Sequence, residues 1–151
     1  MTYEITDFFG NRVPLKPRVE LYAVKDELMG KEMPGLAIVL DEVSDEPDIQ
    51  YAVLTVSFGE HIGIKNAAYI DTNNCSFARQ LLDKGIAIDT GLTKNSGFCS
   101  YPLWVFDENF LREHGAENYE KYSEAFDEYQ KGFEFDEDDE DMDDEMTMGG
   151  M

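Results

Sequence analysis

The sequence predicts an α+β domain: a mainly antiparallel sheet of about five strands, two or three helices packed on it, and a disordered acidic C-terminal tail. Three observations carry this. Apolar runs of strand length, such as Leu36–Leu40 and Ile49–Phe58, are broken by Gly, Pro, Asp and Asn. Helical spacing follows, most clearly in Tyr119, Tyr122, Phe126, Tyr129 and Phe133, which recur at steps of three and four. Residues 134–151 hold ten acids and neither Lys nor Arg, a composition that cannot bury a core. The expected organisation is one domain over residues 1–133 and a tail over 134–151.

Tyr3 to Phe8 alternates in part and reads as a first strand, stopped by Gly10-Asn11. Val13 to Pro17 is held extended, because a residue before proline is pushed out of the helical region. Arg18–Val24 then alternates with Val19, Leu21 and Ala23 on one face. Leu36–Leu40 reads as a central strand, and Ile49–Phe58 as its antiparallel hairpin partner across the loop Asp41–Asp48. Ala67–Ile70 is a short strand ended by Asp71-Thr72-Asn73-Asn74, whose side chains bond local backbone.

Asn74 is expected to cap a helix from about Cys75 to Lys84, with Phe77, Leu81 and Leu82 as its apolar stripe and Gly85 as its left-handed stop. Asp89–Ser100 reads as a long Gly-rich loop, and Tyr101–Phe106 as a strand that Pro102 confines to a start or an edge. Asp107 caps a short helix, Glu108–His114, stopped by Gly115. Ala116–Phe133 is a helix with one aromatic stripe. Glu117, Glu120, Glu124, Asp127 and Glu128 form its outer face.

Charge is the dominant global property. Twelve basic residues stand against 33 acidic ones, a formal net charge of −21. With the tail set aside, 23 acids face 12 bases over residues 1–133, a net −11. Such a field repels nucleic acid and anionic membrane and attracts basic protein surfaces. No basic stripe exists to hold phosphates, so direct nucleic-acid binding is not expected. No apolar run reaches the length of a membrane span, and the first ten residues lack a signal-peptide pattern, so the expectation is a cytoplasmic protein.

Residues able to do chemistry are sparse. Cys75, Cys99, His61 and His114 lack the short spacings of a metal site, so no metal is expected. Thr90–Gly97 holds the ingredients of a phosphate loop in the wrong order and leads into a strand, so no nucleotide or other cofactor is expected. Cys75 is the one candidate nucleophile, at the first turn of a helix where the dipole lowers a thiol pKa. The competing reading is a small buried core residue.

The stretch YIDTNNCSFARQLLDKGIAIDTG, followed by SGFCSYPLWVF, resembles a small uncharacterised domain family carried by conjugative and other mobile genetic elements of gut bacteria. The resemblance covers Asp71 to Phe106 and rests on Asp71, Asn73, Asn74 and Cys75, then Ser96-Gly97-Phe98 and Tyr101-Pro102-Leu103. It implies a mobile-element accessory role and carries over no catalytic residue. Together with the charge, it leads to the expectation of a non-enzymatic interaction protein that imitates nucleic acid on a basic host or defence protein. The alternatives are a small enzyme using Cys75 as a thiol nucleophile, or a scaffold of conjugation machinery docked through the aromatic helix.

Overall fold

A computed structural model describes residues 2–25, 30, 32–44 and 47–141, with side chains described as far as residue 131. In chain order the elements are β1 (Tyr3–Thr6), β2 (Arg12–Lys25), β3 (Glu32–Glu42), β4 (Ile49–Val53), β5 (Thr55–Val56) and β6 (Ala67–Ile70). They continue with α1 (Ala78–Leu82), β7 (Ala87–Ser96), β8 (Cys99–Phe106), α2 (Glu108–Gly115) and α3 (Glu117–Asp141). The strands form two antiparallel sheets, ordered β1-β2-β3-β4 and β5-β6-β8-β7. The α+β class and the antiparallel pairing are as expected. The expected single sheet of about five strands is instead two sheets of four among the described residues.

Leu54 accounts for one part of that difference. Ile49–Phe58 reads as one β run, but the chain leaves the first sheet at Val53 and joins the second at Thr55. Between them Leu54, with no exposed surface, donates its N–H to Ile38 O at 2.8 Å and accepts from Asp71 N at 2.8 Å. One residue thus stitches both sheets, and the Thr55 hydroxyl reinforces it by accepting from Ile38 N at 3.1 Å.

The expected loop Asp89–Ser100 accounts for the rest. Most of it is strand: β7 pairs with β8 down to Ser96↔Cys99, leaving Gly97-Phe98 as a two-residue hairpin turn. Gly97 takes φ +62°, the left-handed value such a turn requires at its first position and only glycine adopts cheaply. An irregularity between Asp89 and Thr93 bends this edge strand, and the polar residues there bond their own hairpin. Thr90 Oγ1 donates to Leu103 O at 2.8 Å, and Asp89 Oδ1 accepts from Gly91 N at 2.9 Å.

The prolines sit where a ladder is one-sided. β1 pairs with Arg12–Leu15 and β3 with Leu15–Lys25, so Pro14 and Pro17 each have a strand neighbour on one side only. Pro102 lies inside β8, just beyond Leu103, where the β6 ladder ends. It is therefore in an interior strand, past the reach of one neighbour, rather than at a sheet edge.

Both sheets and the helices share one core, built on Leu15, Val19, Ile38, Leu40, Ile70, Trp104, Phe106 and Leu111. Helix α3 enters it with Tyr119, Tyr122 and Phe126, while Tyr129 packs with Val24 and Met33 in a smaller cluster. The aromatic stripe is core, as its spacing predicts. Phe133 and the side chains after it lie outside the described residues. The backbone of α3 runs on to Asp141, so the expected tail begins within this helix, and residues 142–151 are outside the described residues.

Two helix termini need correction. Asp107 caps α2 as expected, accepting from Phe110 N at 3.1 Å. Gly115 does not supply a left-handed stop; it is the last helical residue, and the chain turns away at Ala116, whose φ of +45° is paired with a ψ of −117°. A Cβ on Gly115 would come within 3.0 Å of Val19 and Tyr119, so glycine is there to let the helix end approach β2. The helix expected from Cys75 is shorter, beginning at Ala78 with no side-chain cap, although Gly85 does take the left-handed φ of +83°.

Candidate functional site

Helix α3 offers an organised charged surface. The buried Tyr119, Tyr122, Phe126 and Tyr129 fix its rotation, which turns Glu117, Glu120, Glu124, Asp127 and Glu128 outward, all five exposed. Two of the five are engaged: Glu120 with Arg112 at 2.6 Å and Asp127 with Lys65 at 2.8 Å. Among the described residues, Glu117, Glu124 and Glu128 make no ion pair. From Tyr119 to Tyr129 the stripe itself is taken up by packing in the core.

Asn66 locks this helix to the second sheet. It adopts φ +69°, a strained value for a residue with a Cβ. Three bonds hold it there. Its N–H donates to the Tyr122 hydroxyl at 2.8 Å, its side-chain oxygen accepts from the Tyr119 hydroxyl at 2.9 Å, and its carbonyl accepts from Phe106 N at 2.8 Å. Burial raises the Tyr122 phenol well above its ordinary pKa, so it remains a neutral partner. The outer carboxylates consequently stand on a helix clamped by both packing and hydrogen bonds.

The residues that carry the sequence resemblance form a second organised region. Asp71, not Asn74, is the acceptor that ends the preceding strand. Its carboxylate takes Asn74 N at 3.3 Å and Asn74 Nδ2 at 2.8 Å, and its carbonyl takes Cys75 N at 2.8 Å. The Tyr101 hydroxyl, reaching over from β8, lies close to the side chains of Asn73, Cys99 and Asp71. Phe58 meets Tyr69 and Tyr101 edge-on at 5.5 and 5.2 Å, and Lys94, ion-paired to Glu60, lies over the Phe58 ring. Asp71, Asn73, Asn74 and Tyr101 are thus brought together. Ser96 and Gly97 lie at the hairpin tip and Pro102 in the adjoining strand.

A family model described as Domain of unknown function (DUF4313) matches residues 28–126, more than half of the chain. The chain belongs to the DUF4313 family. No curated protein and no solved structure matches it. The DUF4313 segment contains the Asp71 turn, the β7–β8 hairpin and the acids of α3 up to Glu124, while β1 and β2 precede it.

Within the DUF4313 fold Cys75 is a core residue. It is 1% exposed, its thiol reaches Val53 O at 3.4 Å, and burial, with Asp71 nearby, pushes its pKa up to about 11. A nucleophile needs the opposite shift. The histidines are occupied elsewhere: His61 packs on Phe126 and Tyr129, and His114 on Tyr3 and Phe110. Both cysteines are free thiols. Among the described residues no three His, Cys, Asp or Glu side chains converge as metal ligands would, and no helix is long and apolar enough to cross a membrane.

One surface was not anticipated from the sequence. A groove of about 340 Å³ opens between the β1–β2 turn, β4 and the turn before α1, lined by Asp7, Phe8, Phe9, Tyr51, Asn74 and Phe77 among others. Phe8 and Phe9 are 92% and 83% exposed. The signal was there to read: two adjacent phenylalanines sit directly before a Gly-Asn turn, where no core can receive them.

Proposed function

We propose that this DUF4313 protein is a non-enzymatic accessory protein of a mobile genetic element that acts in the cytoplasm by occupying the basic surface of a nucleic-acid-binding host or defence protein. One observation carries the reading: five carboxylates stand exposed along a helix whose opposite side is locked in the core. Acids fixed in this way present a run of negative charge as a nucleic-acid backbone does, and they lose little chain entropy on contact. The net charge of −21 adds long-range attraction to a basic groove and repels nucleic acid itself. This is the logic of anti-restriction and anti-CRISPR inhibitors that mimic DNA.

The test is capture of partners from host lysate, repeated at about 50 and 500 mM salt, a range over which exposed charge pairs become screened. A basic protein that is recovered only at low salt, and whose DNA binding this protein inhibits, is the expected result. Partners that are acidic, or that stay bound at high salt and keep their DNA binding, would overturn the reading.

A further inference from the structure

We infer that the groove between the β1–β2 turn, β4 and the residues before α1 receives an arginine side chain from a basic protein segment. It rests on the proposed reading for the partner's sign of charge and goes beyond it in naming a second contact, away from the α3 acids.

The walls are aromatic: Phe8 and Phe9 stand edge-to-face at 5.5 Å, and Tyr51 and Phe77 at 5.6 Å. Asp7 lies in the lining, and its charge, with that of Glu42, reaches the Tyr51 phenol. Rings beside a carboxylate attract a cation twice, through their faces and through charge. Between the two biological cations the geometry favours guanidinium, which is planar and weakly hydrated, and which keeps its N–H groups for a carboxylate while it stacks. Asp7 Oδ1 already accepts from Phe9 N and Asn11 N, both at 2.9 Å, while Oδ2 has only a long 3.5 Å contact to Asn11 Nδ2. Oδ2 is the oxygen left to meet the guest.

The groove is also built in advance. The Asp7 bonds and the left-handed Gly10, at φ +85°, fix the turn that displays the two phenylalanines. Its base is pinned to α1 by a reciprocal pair, Thr6 N to Gln80 Oε1 at 2.8 Å and Gln80 Nε2 to Thr6 O at 2.9 Å. Two adjacent water-exposed aromatic rings are costly to display, and such anchors concentrate binding energy at interfaces.

The test uses the full chain with a nona-arginine and a nona-lysine peptide, each titrated by calorimetry at one fixed ionic strength. The variants are Phe8→Ser with Phe9→Ser, and separately the five α3 acids changed to Gln or Asn. The expected result is that the double serine variant, with an unchanged melting temperature, loses about tenfold in arginine-peptide affinity and little for lysine. The α3 variant should weaken both peptides alike. Equal arginine affinity with and without the phenylalanines overturns the groove and leaves the α3 reading standing. Affinities unchanged by the α3 variant overturn that reading and not the groove. If the wild type dimerises and the double serine variant is a monomer, the occupant is a second copy and the arginine proposal fails.

Discussion

Asp71 and Asn74 illustrate how a single side chain's role depends on its neighbours. Both are residue types that end strands and start helices, and the sequence alone ranks Asn74 as the cap. The structure gives the acceptor role to Asp71 and makes Asn74 its donor. Asp71→Ala removes both acceptors of this turn and should therefore lower stability by about 1 kcal/mol, the order of a net hydrogen bond. Asn74→Ala removes one exposed side-chain bond and should cost only a few tenths. Urea midpoints of the two variants check the order, and a larger loss at Asn74 would reverse the assignment. Two buried groups contribute to the dependence of stability on pH. The Cys75 pKa is raised from 9.0 to about 11, so the folded state holds that proton more tightly, and stability should fall as pH rises from about 9 through 11. Burial lowers the pKa of the His114 imidazole from 6.5. There the unfolded chain binds the proton more tightly, so stability should decline as pH drops below 6.5. Denaturation midpoints across that acid range should lose this component in His114→Gln, and an identical pH dependence in wild type and variant would exclude His114 as its source.

At the scale of elements, periodicity was a good guide wherever one face of a segment is buried. The aromatic stripe of α3 and the Asp107 cap could be read before folding, as could the alternation of β2 up to Leu21; beyond it Ala23 is exposed and Val24 is the buried residue. What could not be read was where a strand changes partner. Nothing in IQYAVLTVSF marks Leu54 as the residue at which the chain passes between sheets, because both halves are apolar and both are extended. The β7 strand was hidden for the opposite reason. It is a bent, largely exposed edge, so its residues carry the polar, Gly-rich composition of a loop. The site divides likewise. The α3 acids follow from helical spacing, whereas the Phe8–Phe9 groove depends on β4 and the turn before α1 meeting the β1–β2 turn, a long-range packing no local pattern encodes. Truncation after Phe133 tests the element boundary: among the described residues the buried side chains of α3 extend through Tyr129, so the melting temperature should stay within a few degrees of the full chain's. A fall well beyond that would mean that residues 134–151 contribute to the core.

At the scale of the whole molecule the question is how a chain of net charge −21 uses that charge. Scattered surface acids supply solubility and little else, since isolated exposed pairs contribute about 1 kcal/mol or less. Acids arrayed on a clamped helix can act together on one basic groove. Removing residues 134–151 should then weaken binding and reduce its salt dependence while the body retains part of the affinity. Changing Glu117, Glu120, Glu124, Asp127 and Glu128 to Gln or Asn should cost more than five such changes elsewhere on the surface. The most direct measurement is the affinity of the wild type and of that five-residue variant for the captured basic protein, titrated from about 50 to 500 mM salt. The account predicts a steep loss of wild-type affinity with salt and a weaker, flatter dependence for the variant. Wild-type binding that ignores salt over this range, or two curves of equal slope, would contradict it.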